Sequence, residues 1–157
     1  MAAAAVLIAL LGAGCRSVPA PAREAPTGER IAQLAASLVG VPYQFGGADA
    51  AGFDCSGLAR YVHERAGVAI PRTAAEQQRA ARRVPLAELA PGDLVFFHLK
   101  RRGIDHVGVY TGGGRFVHAR RAGQAVAYGD LRGSFYARHL VSAGRFWDRR
   151  ARAASAP

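Results

Sequence analysis

Between residues 29 and 148 the spacing of apolar side chains changes once, from a helical period to a period of two, and that change limits the possible folds more than any other feature. Ile31, Leu34, Ala35 and Leu38 recur at helical spacing, with Thr27 available as a cap and Gly40 as a stop, so 29–39 reads as an amphipathic helix. A glycine-rich loop over 42–53 follows. A second helix begins at or just before Cys55 and runs through Leu58, Tyr61 and Val62 to Gly67, a residue suited to the left-handed C-terminal position. A third, short helix is expected over 73–83. After the turn Pro91-Gly92-Asp93, the segments 94–97, 106–111, 115–119, 124–128 and about 139–146 alternate as strands. Helices followed by an antiparallel sheet of about five strands predict one α+β domain over 29–148, with the helices on one face of the sheet.

The ends read differently. Residues 1–14 carry no charge, and 2–11 form an apolar run of signal-peptide length, too short to span a membrane. The small residues Gly12, Ala13 and Gly14 lead into Cys15, an arrangement similar to a bacterial lipoprotein processing site, which makes Cys15 the expected lipidation site. The alternative is an ordinary signal peptide with an incidental cysteine. Residues 15–28, rich in proline and small residues, have the composition of a flexible tether, and 149–157 reads as a frayed tail.

The chain has a net charge of +10, almost all from arginine, since Lys100 is the only lysine. Such a field attracts polyanions. No zinc-finger spacing, aromatic RNA-binding signature or dense basic block accompanies it, so no nucleic-acid partner is expected. No close pair of ligands suggests a metal, and no cofactor is expected. Of the two cysteines, assigning Cys15 to lipid leaves only Cys55, which excludes a disulfide within the domain.

Cys55 stands at a helix start, where unpaired N–H groups and the helix dipole favour a thiolate. Those N–H groups can also donate to the oxyanion formed when a carbonyl is attacked. An imidazole is needed to take the thiol proton and return one to the leaving amine. Of five histidines, His63, His98 and His139 read as surface or core-edge residues. His106 and His118 flank a single hairpin. A two-residue turn would send them to opposite faces, whereas a three-residue loop would put them on one. Three consecutive glycines, Gly112 to Gly114, suit the longer loop. If Thr111 pairs with Arg115, His118 lies opposite Gly108 and diagonal to His106, close enough to orient it.

The set Pro42-Tyr43 with Gly46-Gly47, Phe53-Asp54-Cys55-Ser56-Gly57, Ile70-Pro71-Arg72-Thr73 with Gln77, Pro91-Gly92-Asp93-Leu94, His106-Val107-Gly108-Val109-Tyr110 and Phe116-Val117-His118-Ala119 resembles the NlpC/P60 family of cell-wall peptidases. The resemblance implies a papain-like fold, a Cys55 nucleophile, a His106 base and His118 as third polar residue. It also implies that Tyr43 reaches the site and assists the oxyanion, that Ser56 contacts substrate and that Asp54 bonds local backbone. Arg72 is left with two roles, a substrate carboxylate ligand or a loop brace. The implied substrate is the stem peptide of peptidoglycan, cut between D-glutamate and a diamino acid or, as in some short lipoproteins of the Spr type, between D-alanine and diaminopimelate. An exported protein follows, anchored to the outer membrane if the cell is Gram-negative, with a monomer as the default. A catalytically silent wall-binding module, and an amidase or acyltransferase of the same fold, are the competing readings.

Overall fold

A computed structural model of the chain describes residues 27–100 and 103–148. The expected signal segment, Cys15, the tether up to residue 26 and the tail lie outside the described residues. The elements run α1 (Thr27–Ser37), β1 (Ala48–Asp49), β2 (Gly52–Phe53), α2 (Cys55–Arg65), α3 (Ala74–Ala80), β3 (Arg82–Val84), β4 (Leu94–Phe97), β5 (His106–Gly112), β6 (Arg115–His118), β7 (Ala127–Asp130), α4 (Ser134–His139) and β8 (Leu140–Arg145). The α+β expectation holds. Helix α1 is already formed at the first described residue, and its Gly28 is buried and fits against Pro91 and Trp147, where a Cβ would lie 2.4 Å from the Pro91 carbonyl oxygen.

The main sheet is antiparallel, in the order β3-β8-β4-β5-β6-β7, one strand more than the sequence suggested. The additional strand is β3, whose residues fall in the expected end of α3. That helix stops at Ala80, and Arg82 to Val84 pair with Arg145 to Ala143. The expected loop over 42–53 contains the small β1–β2 hairpin. Strand β7 lies about three residues later than expected, and helix α4 occupies the expected turn before the last strand, taking in His139.

All four residues of β4, Leu94 to Phe97, are buried, because both faces of the sheet are covered. One face packs Leu94, Phe96, Val107, Val109 and Val117 against Ile31 and Ala35 of α1 and Leu58, Ala59 and Val62 of α2. The other holds Val84, Val95, Phe97, Phe116 and Ala143, closed over by Leu131, Tyr136 and Leu140. Each fully buried large apolar side chain contributes about 1.5–3 kcal/mol. Phe116 lies flat across its neighbours because β5 and β7 carry Gly108 and Gly129 beneath it. A Cβ at either position would come within 2.3 Å of its ring.

The turn at Pro91-Gly92-Asp93 is tied by a buried carboxylate. Asp93, with no solvent exposure, accepts from the Ala90 N–H at 2.9 Å, from Arg145 Nε and Nη2 at 2.6 and 2.7 Å, and from Trp147 Nε1 at 3.2 Å. Removing one partner of such a pair leaves the other charge uncompensated. Asp93→Ala is therefore expected to lower stability in urea denaturation by about 3–5 kcal/mol. Asp130→Ala, which removes the partner of exposed Arg132, should leave the midpoint nearly unmoved.

Candidate active site

The start of α2 is fixed from three directions. Asp54 caps the helix, its Oδ1 accepting from the Gly57 N–H at 2.7 Å. Arg72 grips the same carboxylate with two bonds, Nη1 to Oδ1 at 3.0 Å and Nη2 to Oδ2 at 2.6 Å, and Nη1 also donates to Ser56 Oγ at 2.9 Å. Buried Gln77 of α3 donates to the carbonyls of Ser56 and Pro71 at 3.0 and 2.9 Å. Helix α3 is itself closed by a capping box between Thr73 and Glu76. Of the two roles left open for Arg72, the structure displays the brace. The Ser56 hydroxyl is occupied inside this network, and Asp54 bonds both backbone and guanidinium.

The two histidines meet, but by a different route from the one the glycines suggest. The turn holds only Gly113 and Gly114, at φ of +60° and +80°, and Gly112 pairs with Arg115. A two-residue turn alone would place the rings on opposite faces. An irregularity between Tyr110 and Gly112 leaves Thr111 as an extra residue, and beyond this bulge Tyr110 pairs with Phe116 and Val109 with Val117. Extending that register sets His118 opposite Gly108 and diagonal to His106. His106 Nε2 and His118 Nδ1 are 2.7 Å apart, with the rings edge to face at 5.0 Å.

Cys55 and His106 line one cleft of about 580 Å³, with Tyr43, Phe45, Lys100 and Arg120 around it. The backbone N–H groups of Val107, the residue after His106, and of Ser56 and Cys55 favour the anionic form of the sulfur. Burial nevertheless pushes the thiol up to about 11, with the Asp54 charge adding to the rise. The expectation of a sulfur held anionic by the helix start is thus corrected: desolvation outweighs the N–H groups, and the resting group is a thiol. Burial likewise pushes His106 down to about 4, where Asp105 works against it and Arg120 with it. His118 is driven to about 3 by burial and then by the nearby His106 and Arg120 charges. Both imidazoles are neutral at pH 7. Burial also raises the Tyr43 hydroxyl, helped by Cys55 and Asp54.

Since His118 occupies Nε2 of His106, the ring nitrogen left to take a proton is Nδ1. A neutral imidazole with a bare Nδ1 carries its hydrogen on Nε2 and donates it to His118 Nδ1. The hydrogen of His118 then sits on Nε2, 3.2 Å from the hydroxyl of Tyr136. Tyr136 lies on α4, in the stretch that the sequence presents as a turn between strands, and is not among the candidates it offers. Helix α4 has six residues and no side-chain cap, and offered no periodic signal. His98 is exposed, and His139 is partly exposed and bonds within α4. His63 departs from the surface or core-edge reading, since it is fully buried in α2 with Nδ1 donating to the Ala59 carbonyl at 2.8 Å. Among the described residues no group of His, Cys, Asp and Glu has the arrangement of a metal site.

Comparison with known proteins agrees with this architecture. The chain is 40% identical over 120 residues to the bifunctional muramidase/DL-endopeptidase CwlT of Bacillus subtilis, covering 74% of this chain and 36% of that protein. It is 43% identical over 112 residues to the murein DD-endopeptidase MepH of Escherichia coli, covering 68% of this chain and 41% of that one. The chain thus spans about two fifths of the length of these curated relatives. The crystal structure of an NlpC/P60 family protein from Bacillus cereus superposes with a TM-score of 0.72 at 30% identity, over 76% of this chain and 40% of that one. The NlpC/P60 family model matches residues 40–145, from the turn after α1 to the end of β8, and the chain belongs to the NlpC/P60 family.

Proposed function

We propose that this chain is a cysteine peptidase that hydrolyses peptide bonds in bacterial peptidoglycan, with Cys55 as nucleophile, His106 as base and His118 as the residue that orients it. The observation that carries this reading is the 2.7 Å contact between His106 Nε2 and His118 Nδ1, which leaves Nδ1 as the unengaged ring nitrogen of His106 beside the cleft that it lines with Cys55. Because the resting sulfur is protonated, attack and proton transfer go together. As Sγ bonds the substrate carbonyl carbon, its proton passes to His106 Nδ1, and the imidazolium is held by His118. The carbonyl oxygen becomes an oxyanion, received by the backbone N–H groups of Cys55 and Ser56 at the start of α2, since that of Gly57 is taken by Asp54, with the Tyr43 hydroxyl placed to assist. Collapse breaks the C–N bond, and the amine leaves with the proton from His106. Water then gives a proton to His106 and breaks the thioester, returning the thiol and the free acid.

The names of the relatives support the substrate class and divide over the bond, one being a DL- and the other a DD-endopeptidase. Both the D-glutamyl to diamino-acid bond and the D-alanyl to diaminopimelate bond therefore remain within the proposal. For location, the apolar run and small residues before Cys15 support export and lipid attachment there, at the outer membrane in a Gram-negative cell.

Purified sacculi digested with the wild-type protein should release muropeptides whose masses name the bond, and Cys55→Ala should lower release by at least about a thousandfold. Absence of release by wild type from any sacculus would favour a wall-binding module instead. The pH profile provides a second check. His106 must be neutral to act, so activity should fall on the acid side as the pH approaches its value of about 4. Arg120 holds that value down; Arg120→Gln should raise it and move the acid limb to higher pH, and added salt should shrink the difference. Radiolabelled palmitate should enter the full-length protein in a lipoprotein-processing host and be absent from Cys15→Ala.

A further inference from the structure

The hydrogen bonds His106–His118–Tyr136 form a chain that can run in either of two directions. In one, His106 Nε2–H donates to His118 Nδ1 and His118 Nε2–H donates to the Tyr136 oxygen, which leaves His106 Nδ1 bare. In the other, the Tyr136 hydroxyl donates to His118 Nε2, His118 Nδ1–H donates to His106 Nε2, and the only hydrogen of the His106 ring sits on Nδ1. The second arrangement satisfies the same contacts but presents the thiol with a donor. His106 and His118 alone do not choose between them, because a pair of neutral imidazoles bonds equally well either way.

We propose that Tyr136 is a positioning residue that sets the direction of this chain, its hydroxyl oxygen accepting from His118 Nε2–H so that His106 keeps a bare Nδ1. This rests on the reading of His106 as the base. The acceptor role follows from the bare Nδ1 that a base at His106 requires, and the contact accommodates it. The oxygen lies 3.2 Å from His118 Nε2, and among the described residues that nitrogen bonds to Tyr136 alone. His118 is buried, whereas Tyr136 is only partly so. The tyrosine ring is held by four edge-on contacts, to Phe116 at 4.9 Å, Phe135 at 5.2 Å, His118 at 5.4 Å and Phe97 at 5.5 Å, so the oxygen stays put without the hydrogen bond. The cation of Arg120 acts on Tyr136, His118 and His106 alike, which marks all three as one electrostatic unit beside the cleft.

The test is nitrogen-15 NMR of the imidazoles in the folded protein at pH 7, together with kinetics of Tyr136→Phe, which keeps the ring and removes the oxygen. In wild type, His118 should carry its hydrogen on Nε2 and His106 on Nε2. In Y136F both rings should move toward the Nδ1–H form, kcat should fall about three- to tenfold and KM should stay unchanged. A wild-type His118 protonated on Nδ1 overturns the proposal, and that spectrum needs neither turnover nor a stable variant. Unchanged tautomers in Y136F, or an unchanged kcat, overturn it as well. Failure of the underlying reading looks different: Cys55→Ala would still release muropeptides, whatever the tautomers.

Discussion

One supernumerary residue in β5 determines whether this fold has a site at all. Side chains alternate across a strand, so the tight Gly113-Gly114 turn on its own would put His106 and His118 on opposite faces of the sheet. The bulge at Thr111 restores the parity. It also puts both histidines on the face that carries Phe97, Phe116 and Tyr136, whose rings wall them in. The Thr111 hydroxyl donates to the Arg115 carbonyl at 3.1 Å, so the irregularity is pinned where it occurs. Phe116 occupies the gap left by two glycines, and its ring packs at 5.0 Å against His118.

The second requirement is that α2 deliver its first residue to the end of β5. Asp54, Arg72, Ser56 and Gln77 achieve this with a network that faces the helix start and leaves the sulfur free. The resulting site is dry enough that charge is costly in every member. The thiol, both imidazoles and the Tyr43 hydroxyl are all shifted toward their neutral forms, chiefly by burial. Activation on this scheme comes from the relay at the moment of attack, not from an ion pair waiting in the resting cleft. A sulfur that stays protonated is also a poor target for stray oxidants and alkylators, since the thiolate is the reactive form.

Much of this was legible in the residues. The start of α2 at Cys55 follows from Asp54 as cap, the left-handed stop at Gly67 from its glycine, and β4 from an unbroken apolar run. The face shared by His106 and His118 was also within reach, although the loop length used to argue it was wrong and the bulge that compensates carries no sequence mark of its own. Strand β3 was hidden because Arg82, Arg83 and Val84 show no alternation over so short a length, and only pairing with β8 makes them a strand. Helix α4 was hidden for a related reason: six residues without a cap are helical through tertiary packing and not through propensity. With α4 went Tyr136. The upward shift of the Cys55 thiol depends on how much protein surrounds the sulfur, a quantity that position in a helix does not reveal.

Three imidazoles, His63, His106 and His118, are enclosed in their uncharged forms, with values of about 4, 4 and 3 against an ordinary 6.5. His63 takes no part in the cleft, and its Nε2 is buried without a partner among the described residues. An unfolded chain would bind protons at these rings near pH 6.5, whereas the folded one resists until about 4 at two of them and about 3 at the third. Acid therefore rewards unfolding at three places at once, and the domain's margin should be whole above about pH 6.5 and shrink as the pH falls from there toward those lower values. The same enclosure that keeps His106 uncharged at neutral pH ties the persistence of the fold to an unacidified surrounding.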